Sequence, residues 1–126
     1  MLRRYTIYRG KRPEGDSLPE GIRQDTRKHT RHVLRPPGEL VVAYLKGDGS
    51  VSWEDFRNQY LRCLEERLRE NAVPFEKLAA LARKEDVFLG CNCPTKKNPD
   101  VNRCHTVLAL EFMKGQFPGL PVGFPS

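Results

Sequence analysis

The sequence predicts an α/β fold: one domain over residues 1–126, with a small, mostly parallel sheet and helices packed on its faces. Three observations carry this. From Trp53 the apolar positions Phe56, Tyr60, Cys63, Leu64 and Leu68 recur at helical spacing to about Asn71, while charged residues such as Arg57, Arg62, Glu65, Glu66 and Arg69 fill much of the remainder. Arg4–Arg9 (Arg-Tyr-Thr-Ile-Tyr-Arg) has the β-branched and aromatic composition of a strand. Val87 to Met113 reads as a short apolar strand (Val87, Phe88, Leu89), a polar loop, and an amphipathic helix opened by Arg103-Cys104-His105.

The remaining elements follow in order. Gly10 to Gly21, with two prolines and three glycines, is a loop. Gly21-Ile22-Arg23-Gln24-Asp25 suits a short strand that ends in a loop. Thr26 to His32 packs Arg27, Lys28, His29, Arg31 and His32 together with no apolar period, so it reads as a surface segment, with an anion-binding loop as its functional counterpart. Pro36-Pro37-Gly38 is a stop followed by a start, with Pro37 suited to a first helical turn. Leu40, Val41, Tyr44 and Leu45 then mark a two-turn helix over Glu39 to Lys46, closed by Gly47-Asp48-Gly49. Ser52, with Asp55 three residues on, makes a near capping box for the long helix. Pro74 opens another helix, carrying Phe75, Leu78 and Ala79 and closing near Lys84. The tail, residues 117–126, holds three prolines and is expected to run over the surface as irregular chain. Trp53, Phe56, Tyr60, Leu64, Leu68, Phe75, Leu78, Val87, Leu89, Leu108 and Leu110 should dominate the core.

Composition narrows the function classes. Apolar residues make up 38% of the chain and charged residues 30%, which suits one modest core under a well-solvated surface. No window is apolar enough to span a membrane, and the N-terminal residues lack the apolar run of a signal peptide. A cytoplasmic protein with no membrane partner is therefore expected, its cysteines serving as thiols or ligands rather than as disulfides. The net charge of +6 is uneven. Residues 1–38 hold ten Lys/Arg against four Asp/Glu, and residues 39–126 hold twelve against twelve. A basic strand-loop segment of this kind points either to a solubilising surface or to an anionic partner, a nucleic acid or a phosphate-bearing small molecule.

Three of the four cysteines and one of the three histidines fall between Cys91 and His105. Cys63 lies on the apolar stripe of the long helix and reads as a small hydrophobe. The clustered residues admit three chemistries. Cys91, Cys93, Cys104 and His105 have donor atoms suited to zinc or iron, but residues two apart on an extended strand lie roughly 6.6–7 Å apart. Thiolates on one zinc must be closer, so the chain has to curl at Asn92. Cys104 and His105, as helical neighbours, point about 100° apart, so three of these four ligands converge more easily than all four. Alternatively, Cys104 at the start of a helix is a candidate reactive thiolate with His105 beside it as its acid–base partner, making these two the candidate catalytic pair. The third chemistry is binding of a phosphate-bearing ligand where a strand end meets a helix N-terminus. Arg103, Lys96, Lys97 and Asn92 from the loop, and Arg9 and Arg23 from the basic segment, are its candidate contacts. Against all three stands plain packing, in which the cysteines fill space at a strand end and His105 caps or packs. A single exposed polar loop flanked by Cys93-Pro94 and Arg103-Cys104-His105 fits that description poorly.

Val87-Phe-Leu-Gly-Cys91-Asn-Cys93-Pro94, followed by Cys104-His105-Thr-Val-Leu-Ala-Leu-Glu, resembles the end of the family catalogued as domain of unknown function 488. Leu34-Arg-Pro-Pro-Gly-Glu-Leu-Val-Val-Ala-Tyr and Val51-Ser-Trp-Glu-Asp-Phe-Arg-Asn-Gln-Tyr60 resemble its middle. The resemblance covers about residues 34–113. It implies a Rossmann-like sheet with Cys91, Cys93, Cys104 and His105 at a strand-to-helix corner, and it implies no particular reaction. Thr106 stands where the family usually has Arg, and the loop from Thr95 to Arg103 is longer than usual. The expectation is a protein that binds a phosphate-bearing ligand, nucleotide or nucleic acid, at this corner and carries thiol chemistry there. The alternatives are a non-enzymatic zinc or iron module using Cys91, Cys93 and Cys104, and a basic nucleic-acid interaction protein.

Overall fold

Strands β1 (Leu2–Thr6) and β2 (Ile22–Asp25) lead into helices α1 (Gly38–Leu45), α2 (Trp53–Glu70) and α3 (Val73–Lys84), followed by β3 (Val87–Cys91) and α4 (His105–Gln116). The structure is a computed structural model that describes residues 1–125. The sheet order is β1-β3-β2, with both pairings parallel, so the last strand in sequence takes the centre. Every residue of β3 is buried, as expected of a central parallel strand with a continuous apolar run.

The first strand begins two residues earlier than its composition suggests. Leu2 pairs with Val87 and Thr6 with Cys91, and both Leu2 and Thr6 are buried. Burial of Leu2 sets the register, whereas Tyr8 and Arg9 lie past the end of the strand. Arg12 closes that end by donating to the Thr6 carbonyl at 2.6 Å and pairing with Asp16 at 2.8 Å.

Successive β3 side chains alternate between faces. Val87 and Leu89 join a core that collects Leu40 from α1, Phe56, Tyr60 and Leu64 from α2, Phe75 and Leu78 from α3, and Leu108, Leu110 and Met113 from α4. Trp53 and Leu68, expected in the centre, are only partly buried and pack on its flank. Cys91 continues the Val87–Leu89 face, which directs it toward the start of α4. Gly90 has no side chain because none fits: a Cβ there would lie 2.7 Å from both Ile7 Cδ1 and Tyr5 Cε1.

Helix α2 starts at a complete capping box. The Ser52 hydroxyl accepts from the Asp55 N–H, and the Asp55 carboxylate accepts from the Ser52 N–H, each at 3.1 Å. The helix also clamps the segment after β2: the Tyr60 hydroxyl donates to the Leu34 carbonyl, and Arg67 donates to the Val33 and Arg35 carbonyls at 2.7 Å each. The tail is less loose than its prolines suggest. The Leu2 N–H donates to the Pro121 carbonyl and the Gly123 N–H to the Leu2 carbonyl, so the chain around Val122 bridges the free edge of β1 while Leu120 is buried. Prolines at Pro118 and Pro121 are tolerated because an edge leaves N–H groups unneeded on one side. No helix among the described residues is long and apolar enough to cross a membrane.

Candidate functional site

All three strands run in one direction, so their carboxyl ends meet at one edge of the sheet, where ligands collect in open α/β folds. A cleft of about 700 Å³ opens there. Arg9 reaches it from the chain after β1, and Arg27, Lys28 and His29 from the chain after β2. Asn92, Lys96, Lys97 and Arg103 come from the chain after β3. Pro36, Val41, Tyr44 and Leu45, with Phe56 behind them, form an apolar wall. Cys91, Cys93, Cys104 and His105 line the cleft as well.

The three thiols converge. Strand β3 ends at Cys91, so Cys93 is free of the extended spacing, and the two Sγ atoms lie 3.9 Å apart. Cys104, at the N-cap position of α4, completes a group whose three sulfurs all lie within 4.8 Å of one another. For a tetrahedral ion with Zn–S bonds of about 2.3 Å, neighbouring sulfurs sit roughly 3.8 Å apart. The donor set and its spacing fit a soft metal ion held by three thiolates. His105 does not belong to this set.

Buried donors hold two of the sulfurs. The Thr106 hydroxyl donates to Cys104 Sγ at 3.2 Å, and Asn98 Nδ2 donates to Cys93 Sγ at 3.3 Å and to the Arg103 carbonyl at 2.7 Å. Arg4 lies behind them, with Nε on Thr106 Oγ1 at 3.0 Å and Nη2 on the Cys93 carbonyl at 2.7 Å. The sulfurs are thus placed as acceptors. The neighbouring Cys91, then Cys93, hold the Cys104 thiol well below its ordinary value despite burial, and His105 adds to the effect. The complement falls on these neighbours. Cys91 is pushed up, first by Cys104 and next by Cys93, with burial adding to both. Cys93 is pushed up to about 11, chiefly by Cys104. One negative charge shared over three sulfurs is the state that this geometry favours.

His105 is fixed by another partner. The single hydroxyl hydrogen of Thr26 goes to the Gly90 carbonyl at 3.0 Å, because a carbonyl can only accept. Thr26 Oγ1 must then accept from His105 Nε2, 2.8 Å away. This assigns the Nε2–H tautomer and leaves Nδ1 facing Cys104 Sγ at 3.9 Å. Tyr60 packs edge-on against the imidazole, with ring centroids 5.9 Å apart. His105 is therefore positioned to take the Cys104 proton rather than to ligate an ion with that group.

Among the residues singled out from sequence, Arg9, Asn92, Lys96, Lys97, Arg103 and all four Cys/His residues line the cleft. Arg23 does not: it is exposed and donates to the Pro19 carbonyl at 2.9 Å. The segment from Thr26 to His32 is more than a surface stretch. Thr26 is fully buried against His105, and Arg27 is oriented toward the cleft by Asp25 and by Asn92 Oδ1 at 3.1 Å. Burial pushes Asp25 up, but its hydrogen bonds with Arg27 outweigh this and leave the carboxyl below its ordinary value. Arg4, Thr26, Tyr44 and Asn98 belong to the site although no local sequence feature marks them, and Thr106 joins them. Thr106 turns its hydroxyl to Cys104 Sγ, and Arg4 donates to that hydroxyl.

A family model described as DUF488-N3a, the active DUF488-N3 subclade, matches residues 12–116. No curated protein and no solved structure matches the chain.

Proposed function

The chain belongs to the DUF488-N3a family, and on that premise we propose that it binds a phosphate-bearing ligand in the cleft above Cys91, Cys93 and Cys104. The observation that carries this reading is the charge of the cleft. Arg9, Arg27, Lys28, Lys96, Lys97 and Arg103 line it, and no Asp or Glu does. Among the described residues, only Arg27 of these six is in an ion pair. Like charges facing a shared concavity repel one another, and an anion relieves that repulsion. Much of the remaining N-terminal charge is spent inside the fold, with Arg4 and Arg12 donating to internal carbonyls, so an anion has more to gain in the cleft than along a free basic arm. Cys93, half-buried, is the most exposed of the three thiols that line the cleft, and Cys104 is buried with His105 Nδ1 beside it.

Titration with ribose phosphate tests this reading. Affinity should fall as salt rises, and the triple variant Lys96→Ala, Lys97→Ala, Arg103→Ala should bind roughly ten-fold or more weakly, at about 0.5–1 kcal/mol per exposed charge pair. Binding that ignores both salt and the triple variant would remove the basis of the proposal.

A metal-binding centre is the second reading. It is favoured by the sulfur spacing and by Asn98 and Thr106, whose donated hydrogen bonds suit metal-bound thiolate. Cys91, Cys93 and Cys104 would hold a zinc or iron ion, which would supply Lewis acidity or structural cross-linking. Elemental analysis of protein purified without chelator decides it. About one ion per chain, lost from Cys104→Ser, supports this reading, and a metal-free protein with four countable thiols contradicts it.

A further inference from the structure

The cleft lining is not basic throughout. The part that Pro36 and α1 contribute is apolar and contains one aromatic ring, Tyr44, half-buried against the protein. Tyr44 anchors a row of rings: it lies 5.9 Å from Trp53 and 5.2 Å from Phe56, and Trp53 stacks on Phe56 at 5.6 Å and 15°. Phe56 continues to Tyr60 at 6.0 Å, and Tyr60 meets His105. A ring supported in this way is preorganised, because its neighbours already restrict its rotamers. A simple phosphate or sugar phosphate would leave this wall wet and unused. A ligand with a flat apolar end and an anionic end would use both sides, as binding sites of this size commonly do.

We infer that the ligand is a nucleotide unit, its base stacked on Tyr44 against the α1 wall and its phosphate held by the cations of the β3–α4 loop. The inference rests on the phosphate reading and adds the base to it. It also places the aromatic platform that a basic nucleotide-binding groove needs in α1 rather than in the basic N-terminal segment, where Tyr5 and Tyr8 are engaged elsewhere. Tyr5 lies across Gly90, and the Tyr8 hydroxyl donates to Asp16 at 2.6 Å. The same unit exists free or as part of a single strand, and both present the same base and phosphate.

The chain has a single tryptophan, Trp53, within the ring row, so its fluorescence reports events at Tyr44. Three titrations of the full chain suffice, with adenosine monophosphate, ribose phosphate and a short single-stranded oligoadenylate. Adenosine monophosphate should bind roughly ten-fold more tightly than ribose phosphate, the gain expected of one base on one aromatic ring, and should change the Trp53 emission. Tyr44→Ala should erase that difference, with circular dichroism and thermal melting showing that the variant is folded, and Tyr44→Phe should keep it. Oligoadenylate tighter than the mononucleotide, with a steeper salt dependence, identifies a strand as the source, and equal affinity identifies the free nucleotide. Equal binding of adenosine monophosphate and ribose phosphate, or a Tyr44→Ala variant that still discriminates between them, overturns the inference and leaves the phosphate reading standing. Binding of none of the three overturns both.

Discussion

Replacing Thr26 with valine removes one oxygen from the interior and little else. Thr26 is fully buried, and its hydroxyl stands between the Gly90 carbonyl and His105 Nε2. The Gly90 carbonyl keeps a partner after the change, because the Thr26 backbone N–H also donates to it at 3.1 Å. His105 Nε2–H does not: the ring is buried, and its donor is left with nothing to meet. One buried donor without an acceptor costs about 1–3 kcal/mol. Unfolding entropy of about 2.1 cal/mol/K per residue over 126 residues converts this to a Tm lower by roughly 4–11 °C. Calorimetry reads the stability, and nitrogen NMR of the imidazole reads the tautomer. The native chain should show His105 Nε2 protonated, whether or not Nδ1 has taken the Cys104 proton. Thr26→Val should release the ring to place its proton on Nδ1, facing Cys104, whereas Thr26→Ser should keep the native tautomer at a cost of about 1 kcal/mol for the missing methyl. A Thr26→Val protein with unchanged Tm and tautomer would refute the assignment of His105 as held by Thr26.

Other expectations follow from neighbouring residues. His32 is locked neutral, with Nε2–H donating to Gln24 Oε1 at 2.7 Å and Nδ1 accepting from the Leu34 N–H at 3.0 Å, and burial brings its pKa from 6.5 to about 4. The unfolded chain takes up a proton in that interval and the folded one does not, so this contribution is complete above pH 6.5 and is lost as pH falls from 6.5 toward 4. The lost stability is about 1–2 kcal/mol after allowing for partial solvent screening. Denaturant titrations at two pH values spanning the interval should show it, and His32→Gln should flatten the dependence. Gly90→Ala pushes a methyl against Tyr5 and Ile7 and should destabilise by about 1–3 kcal/mol, with Tyr5→Ala recovering part of the loss in the double variant.

Local chemistry accounts for what the sequence made legible. Helix α2 has a capping box and five apolar positions at one spacing, so its start was readable to the residue. Strand β3 is an apolar run beside a Gly-Cys pair, and the clustering of Cys91, Cys93, Cys104 and His105 marked the corner directly. What lay hidden depends on pairings across long stretches of chain. Thr26 meets His105 across 79 residues and Arg4 meets Thr106 across 102, and nothing near Thr26 or Arg4 announces either contact. Tyr44 looked like one core residue of a short helix, and only the packing of α1 beside α2 turns its ring to the cleft. Arg23 and Arg27 were indistinguishable by composition. Arg23 lies within β2 and is exposed, whereas Arg27 lies past the end of the strand, where the Asp25 carboxylate turns it to the site. Cys91 and Cys93 illustrate the reverse limit: an ideal strand would separate them, but the strand stops between them.

The central claim is that Cys91, Cys93 and Cys104 act as one group that shares a negative charge. Ultraviolet absorbance of thiolate, followed against pH on chelator-treated protein carrying Cys63→Ser, tests it without requiring any reagent to reach the buried sulfurs. The folded protein should show thiolate absorbance from one of its three thiols well below the ordinary thiol range, lost on unfolding and lost in Cys91→Ala, Cys93→Ala. Absence of thiolate absorbance until the ordinary thiol range, about pH 8.5, would show three independent cysteines and contradict the account.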